Sequence, residues 1–202
     1  MKHVLYVATG IIHPSITLIR KVRNMIESSG QVALTRIHSV EGLKKLHPAS
    51  YDAVVLFFHR QNISGEALDT LTNFVEHGGG CLAIHAASAS FKEEPGYEKF
   101  LGGKFISHDV IQKFTVTPDT SSPLFGDIPP FNVKDELYIH RYSQEVTVHA
   151  VADNNGSPEP VIWTKTRGKG RICYFSLGHT SKSADHPAFK EIIRRGITRV
   201  IQ

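Results

Sequence analysis

Along the first half of the chain, short continuous apolar runs alternate with stretches whose apolar residues recur every three or four positions. Val4 to Ala8 is such a run and ends at Thr9-Gly10, which predicts a strand entering a turn. From Ser15 onward, Leu18, Ile19, Val22, Met25 and Ile26 fall on one helical face, and Gly30 supplies a stop. Val32 to Ile37 reads as a second strand, with Val32, Leu34 and Arg36 at alternating positions, and a short helix is expected over Glu41 to Leu46. Ala53 to Phe58 is uninterrupted apolar sequence, as a central parallel strand buried on both faces requires. Ser64 caps a predicted helix whose stripe is Ala67, Leu68, Leu71, Phe74 and Val75 and which ends at Gly78. A strand over Cys81 to Ile84 follows. The order β-α-β-α-β-α-β predicts an α/β fold: a parallel sheet flanked by helices.

The second half changes character. Phe114 to Thr117, Leu137 to Ile139, Val146 to Ala152, Val161 to Thr164 and Ile172 to Ser176 are short strand candidates, separated by Pro118, Asp153-Asn154-Asn155-Gly156 and Gly168. They predict an added antiparallel portion. A closing helix from about Pro187 carries Phe189, Ile192, Ile193, Ile197 and Val200 on one side, which leaves a homo-oligomer through that face open. No repeat or low-complexity linker divides the chain, so one domain over residues 1–202 is expected.

Composition narrows the classes. A hydrophobic content of 41% against 21% charged residues suits a folded globular protein. The net charge of +4 is spread without a basic run longer than two residues, which argues against a nucleic-acid surface. The N-terminal apolar stretch is too short for a signal peptide, and no segment is long enough to span a bilayer, so a cytoplasmic location away from membranes is expected. The two cysteines, Cys81 and Cys173, lie in apolar strand-like runs and read as buried thiols. Twelve histidines are the anomaly. His3, His38, His47, His77 and His149 have no chemical context in the sequence.

In open α/β sheets, ligands bind beyond the carboxyl ends of the strands. Those ends carry Gly10 with His13 nearby, His59-Arg60, and His85. The last stands in Gly78–Ser88, GGGCLAIHAAS, which has the form of a strand–nucleophile–helix elbow with small residues Ala83 and Ala87 two positions either side. A class I glutamine amidotransferase shares this layout but needs a cysteine thiolate at the turn. Cys81 lies four residues too early, Ser88 is displaced by about a helical turn, and G-x-S-x-G is absent, so covalent acyl chemistry is not expected here. A histidine at a strained, exposed turn remains, suited to acid–base work or metal ligation. His108-Asp109, Asp135-Glu136-Leu137-Tyr138 with His140 and Arg141 close by, and Gly178-His179 repeat the placement of polar groups at strand ends or glycine turns. Thr9-Gly10 lacks a phosphate-cradling run, and G-x-G-x-x-G is missing, so neither flavin nor NAD is expected.

Taken together, GGGCLAIHAA at 78–87, LGGKF…H at 101–108, DELY at 135–138 and WTKTRGKGRICYFSLGHT at 163–180 resemble the ThuA-like (trehalose utilisation) family, within the class I glutamine amidotransferase-like superfamily. The resemblance spans nearly the whole chain and is weakest over the first 50 residues. It implies a flavodoxin-like sheet, a site without the amidotransferase cysteine, and a link to sugar metabolism, notably of 3-keto-glycosides. By motif position it nominates His85, His108, Glu136 and His179. Asp109 after His108 departs from the pattern, in which proline or histidine is more usual.

Two functions follow as expectations. In the first, His85 or His179 acts as base and Glu136 as proton donor or orienter on a keto-sugar glycoside, with zinc or manganese held by His85, His108 and His179. Gly10, His13, His59, Arg60, Ser88, His108, Asp135 and Tyr138 then contact the sugar. In the second, the fold is kept as a non-catalytic sugar- or metabolite-binding domain, with Tyr138, Arg60, Gln61 and Asp135 as polar contacts. Convergence of His85, His108, Glu136 and His179 on one cavity favours the first; His85 packed among side chains counts against it.

Overall fold

The computed structural model describes residues 1–9 and 14–202. Gly10 and His13, both expected at the first strand's end, lie outside the described residues. The elements of the first half follow the apolar runs: β1 (Lys2–Thr9), α1 (Ile16–Glu27), β2 (Val32–Ile37), β3 (Ala53–Phe58), α2 (Gly65–Glu76) and β4 (Gly80–Ile84). The Ser15 and Ser64 hydroxyls cap α1 and α2 by accepting from Leu18 N and Ala67 N. Where a helix was expected over Glu41 to Leu46, a short 3-10 turn spans Val40–Lys45. Only Val40 and Leu43 of that turn are buried, too narrow a stripe to anchor a full helix.

After β4 come a one-turn 3-10 segment (His85–Ala87), α3 (Pro95–Leu101), β5 (Gly103–His108), β6 (Gln112–Pro118), β7 (Phe131–Asp135), β8 (Tyr138–Tyr142), β9 (Thr147–Asn154), β10 (Ser157–Arg167), β11 (Gly170–Phe175) and α4 (Pro187–Val200). β5 and β7 were not expected. The sequence around β5 reads as a glycine turn because Gly102 and Gly103 open it, and β7 is a five-residue alternation of buried Phe131, Val133 and Asp135.

Among the described residues, nine strands form one mixed sheet in the order β2-β1-β3-β4-β11-β10-β9-β6-β7. β2, β1, β3, β4 and β11 run parallel, and β10, β9, β6 and β7 extend the sheet antiparallel. A separate two-stranded pair, β5 with β8, lies over β10. The return of the chain's last strand, β11, beside β4 positions the site: Phe175 pairs with Ile84, so the ends of β4 and β11 open side by side.

Helices cover both faces. Leu18, Ile19, Val22 and Ile26 of α1 and Phe189, Ile192, Ile193, Ile197 and Val200 of α4 pack on one face, and Ala67, Leu68, Leu71, Phe74 and Val75 of α2 on the other. The apolar face of α4 is therefore packed inside the chain. His149, without context in the sequence, is a buried core histidine between the Ser122 and Thr164 hydroxyls, each 2.8 Å away. Among the described residues, no helix is long and apolar enough to cross a membrane.

Two outcomes are expected. A Cβ at Gly80 would stand 2.0 Å from the Val200 carbonyl oxygen, so Gly80→Ala should lower stability by about 1–3 kcal/mol in urea denaturation; an unchanged midpoint would show that α4 does not press on β4. Burial lowers the His149 pKa below its ordinary 6.5, so the unfolded chain takes up the proton first. Stability is therefore present above about pH 6.5 and is lost below it, by up to about 1.4 kcal/mol per pH unit. His149→Gln should flatten that slope in urea midpoints measured between pH 7 and 5.

Candidate functional site

β4 ends at Ile84, and His85 turns the chain with φ +47°, a left-handed conformation that few non-glycine residues adopt. Ala83, Ala86 and Ala87 around it are fully buried, which lets β11 come close. The strain expected of the elbow is present, but the exposure is not. His85 is wholly buried, its ring stacked on Tyr138 at 4.2 Å and 29°. Tyr138 opens β8, and Phe105 of β5 packs against it at 4.4 Å, so the β5–β8 pair roofs the turn.

The imidazole is oriented from the neighbouring strand. Its Nδ1 lies 2.7 Å from the carbonyl oxygen of Ser176, the residue after β11. A carbonyl only accepts, so Nδ1 carries the hydrogen and Nε2 is the nitrogen turned away from Ser176. Nε2 is 3.8 Å from Oε2 of Glu136.

Glu136 stands between β7 and β8, and His179 follows β11 through Gly178, whose φ of +125° favours glycine. Asp135 joins these loops. Its carboxylate accepts backbone N–H bonds from Gly178 at 2.9 Å, His179 at 3.1 Å and Glu136 at 2.9 Å. The result places His179 Nδ1 3.0 Å from Glu136 Oε2. His108, at the end of β5, brings Nδ1 to 3.7 Å from Glu136 Oε1, while the same Nδ1–H donates to the Asp109 carbonyl at 2.7 Å. Burial pushes the Glu136 carboxyl above its ordinary pKa, and the nearby His179 and His108 oppose the rise.

One ligand atom from each of His85, Glu136 and His179 can be chosen so that all lie within 4.8 Å of one another. His108 touches the other Glu136 oxygen and stays outside that group. The other expected contacts are more scattered. His59 is half-buried at the end of β3, its pKa lowered by burial and by Lys92 and Arg60, and exposed Arg60 folds back on the His59 carbonyl at 2.8 Å. Ser88 and Asp135 are buried and bond to protein groups, not to open space. A cavity of about 400 Å³ opens beside Asp109 and Leu137, the chain neighbours of His108 and Glu136, and is lined further by Gln112, Phe114, Asp153 and Asn154.

The sequence matches the trehalose utilisation family, ThuA, over residues 3–198. The chain belongs to this family. Among solved structures, a ThuA-like protein from Parabacteroides merdae superposes with a TM-score of 0.87 at 19% identity, covering 100% of this chain and 90% of that one. A second, from Bacteroides uniformis, gives 0.79 at 18% identity, with 98% and 89% covered. A β-galactosidase from Rahnella sp. R3 aligns with 99% of this chain but only 31% of its own length, at 0.69 and 14% identity. These likenesses show the fold: a flavodoxin-like sheet with helices on its faces and extra antiparallel strands. No curated protein matches by sequence. Membership of ThuA ties the chain to carbohydrate use.

This ThuA-family site also depends on groups for which the sequence suggested another role or none. The Ser176 carbonyl orients His85, and a buried set of Ser88, Tyr174, His140 and Glu159 lies beneath the turn. Ser88 was expected as a sugar contact and His140 only as a neighbour of the acid pair, while Tyr174 and Glu159 carried no expected role. Asp135→Ala would leave three N–H groups without their acceptor. It should cost about 3 kcal/mol or more in urea denaturation; a loss under about 1 kcal/mol would mean that the Asp135 carboxylate does not hold the two loops together.

Proposed function

We propose that this ThuA-family protein cleaves glycosides whose sugar carries a ketone at C3, with His179 and Glu136 as its acid–base pair. The observation that supports this most directly is the 3.0 Å approach of His179 Nδ1 to the buried Glu136 carboxyl, with His85 Nε2 3.8 Å from the same oxygen. A C3 ketone acidifies the C2–H bond. His179, the more exposed ring, takes that proton; the C2–H electrons form the enolate and then expel the glycosidic oxygen from C1. The leaving oxygen takes its proton from Glu136, whose raised pKa favours the protonated form that can donate. Water then adds across the C1–C2 double bond, giving the free keto-sugar and an alcohol.

The same residues suit a divalent ion. His85 donates its Nδ1–H to a carbonyl and turns Nε2 toward Glu136, the arrangement common to metal-bound histidines. Two imidazoles and one carboxylate are a donor set for zinc or manganese. In that metal-dependent form of the site, His85, Glu136 and His179 would hold the ion in place of serving as the free acid–base pair, and His108 would remain outside as a group facing substrate. Such an ion, when bound, supplies Lewis acidity toward a ketone oxygen.

The complete burial of His85 under Tyr138 favours a second reading, a sugar-binding domain without turnover. Two measurements separate the readings. Purified protein should bind Mn2+ or Zn2+ at one site in calorimetry, and Glu136→Gln should weaken it at least about 100-fold, beyond the 10–100-fold typical of groups that only orient ligands. Elemental analysis without metal, with activity unchanged by chelation, removes the ion. His179→Ala should abolish turnover of a 3-keto-glycoside while the fold is kept; sugar binding without turnover in the parent protein establishes the second reading.

A further inference from the structure

Beneath the turn, four polar side chains from separate parts of the fold meet in the core. Tyr174 of β11 is fully buried, Ser88 of the turn is 2% exposed, Glu159 of β10 7% and His140 of β8 8%. None of them reaches the face where Glu136 and His179 meet His85 by a hydrogen bond. They converge instead on the backbone of His85. The Tyr174 hydroxyl donates to the His85 carbonyl oxygen at 3.0 Å, and the Ser88 hydroxyl approaches the same oxygen at 3.3 Å.

The two hydroxyls are 2.7 Å apart, and His140 Nε2 faces them at 3.2 Å from Tyr174 and 3.5 Å from Ser88. His140 is held from behind, because Glu159 Oε1 accepts from both its backbone N–H at 2.9 Å and its Nδ1–H at 3.0 Å. With Nδ1–H given to Glu159, Nε2 of the neutral ring is an acceptor. Two hydroxyl protons therefore serve two acceptors, the His85 carbonyl and Nε2, and the carbonyl keeps a side-chain donor whichever hydroxyl supplies it. Burying an acid and an imidazole is costly, and an apolar filling of the same volume would stabilise the core as well or better. What this arrangement adds is a fixed position for one carbonyl, that of the residue in the left-handed conformation. A non-glycine residue there is strained and persists only where its surroundings over-determine it.

We propose that Tyr174 and Ser88, braced by the His140–Glu159 pair, are positioning residues: they hold the His85 carbonyl, and with it the φ of +47° that swings the imidazole against Ser176 and turns Nε2 toward Glu136. The proposal deepens the function assigned to the cluster, but its test needs neither metal nor substrate, so the two fail separately.

The test is long-range 1H–15N NMR of the histidine rings in the full chain. In the wild type, His85 shows a fixed Nδ1–H tautomer, held by the Ser176 carbonyl. Tyr174→Phe keeps the ring that packs on Trp163 at 4.1 Å and removes the hydroxyl, and the double variant with Ser88→Ala removes both donors. The His85 signature should weaken in the single variant and give way to averaged tautomer signals in the double, while the ring signals of His149, whose nitrogens bond to Ser122 and Thr164, stay in place. A purely structural role would move the unfolding midpoint and leave the His85 tautomer as it was. Wild-type His85 signals in the folded double variant overturn the proposal. Should the double variant not fold, Tyr174→Phe and Glu159→Gln are read the same way, and unchanged His85 signals in both overturn it equally.

Discussion

The left-handed backbone at His85 is the constraint on which the site depends, and it exists because two parallel strands end together. β4 must stop abruptly for its last side chain to leave the sheet, and β11 must lie beside it for Ser176 to offer a carbonyl to the ring. Small residues at 83, 86 and 87 allow the close approach. Once φ is set, the ring has a single tautomer and a single direction, toward Glu136.

The remaining groups are arranged around that direction. Asp135 ties the loop after β7 to the loop after β11 by accepting two backbone N–H bonds from Gly178 and His179, while a third, from Glu136, fixes its own loop, and so it sets the distance between Glu136 and His179. The β5–β8 pair, a small sheet apart from the main one, supplies Tyr138 and Phe105 as a roof and His108 as an outer wall. A low-dielectric setting of this kind raises the pKa of a carboxyl and strengthens every polar contact within it. The carbohydrate link of the family thus meets a site in which one carboxyl and two imidazoles gather, with the His108 imidazole beside them, and without the thiol that an amidotransferase layout would need. Cys81 and Cys173 are enclosed in the core, where burial pushes the Cys173 thiol up to about 12, and neither can act as a nucleophile.

Much of this was legible in the chain itself. Continuous apolar runs and capped helical stripes marked β1 to β4 with α1 and α2, because strands buried on both faces tolerate few polar residues. The elbow pattern around His85, the acids at 135 and 136 and the glycine before His179 marked the ends where chemistry collects. β5 and β7 escaped notice because they are short, half-exposed and opened or followed by residues that equally suit turns. The buried state of His85 escaped it as well: a residue at a strand end is exposed unless something covers it, and the cover comes from strands 20 to 53 residues away in the chain.

By itself, then, the sequence determined the alternation of elements, the residues that face the core and the absence of a thiol at the turn, since each of these follows from local spacing and side-chain type. Only the tertiary structure decided that β11 returns beside β4, that His85, Glu136 and His179 meet while His108 stands beside them, and that Asp135 faces backbone amides in place of a ligand. Those outcomes depend on distances between segments far apart in the chain. Such distances are set by how the whole core packs, and no local pattern encodes them.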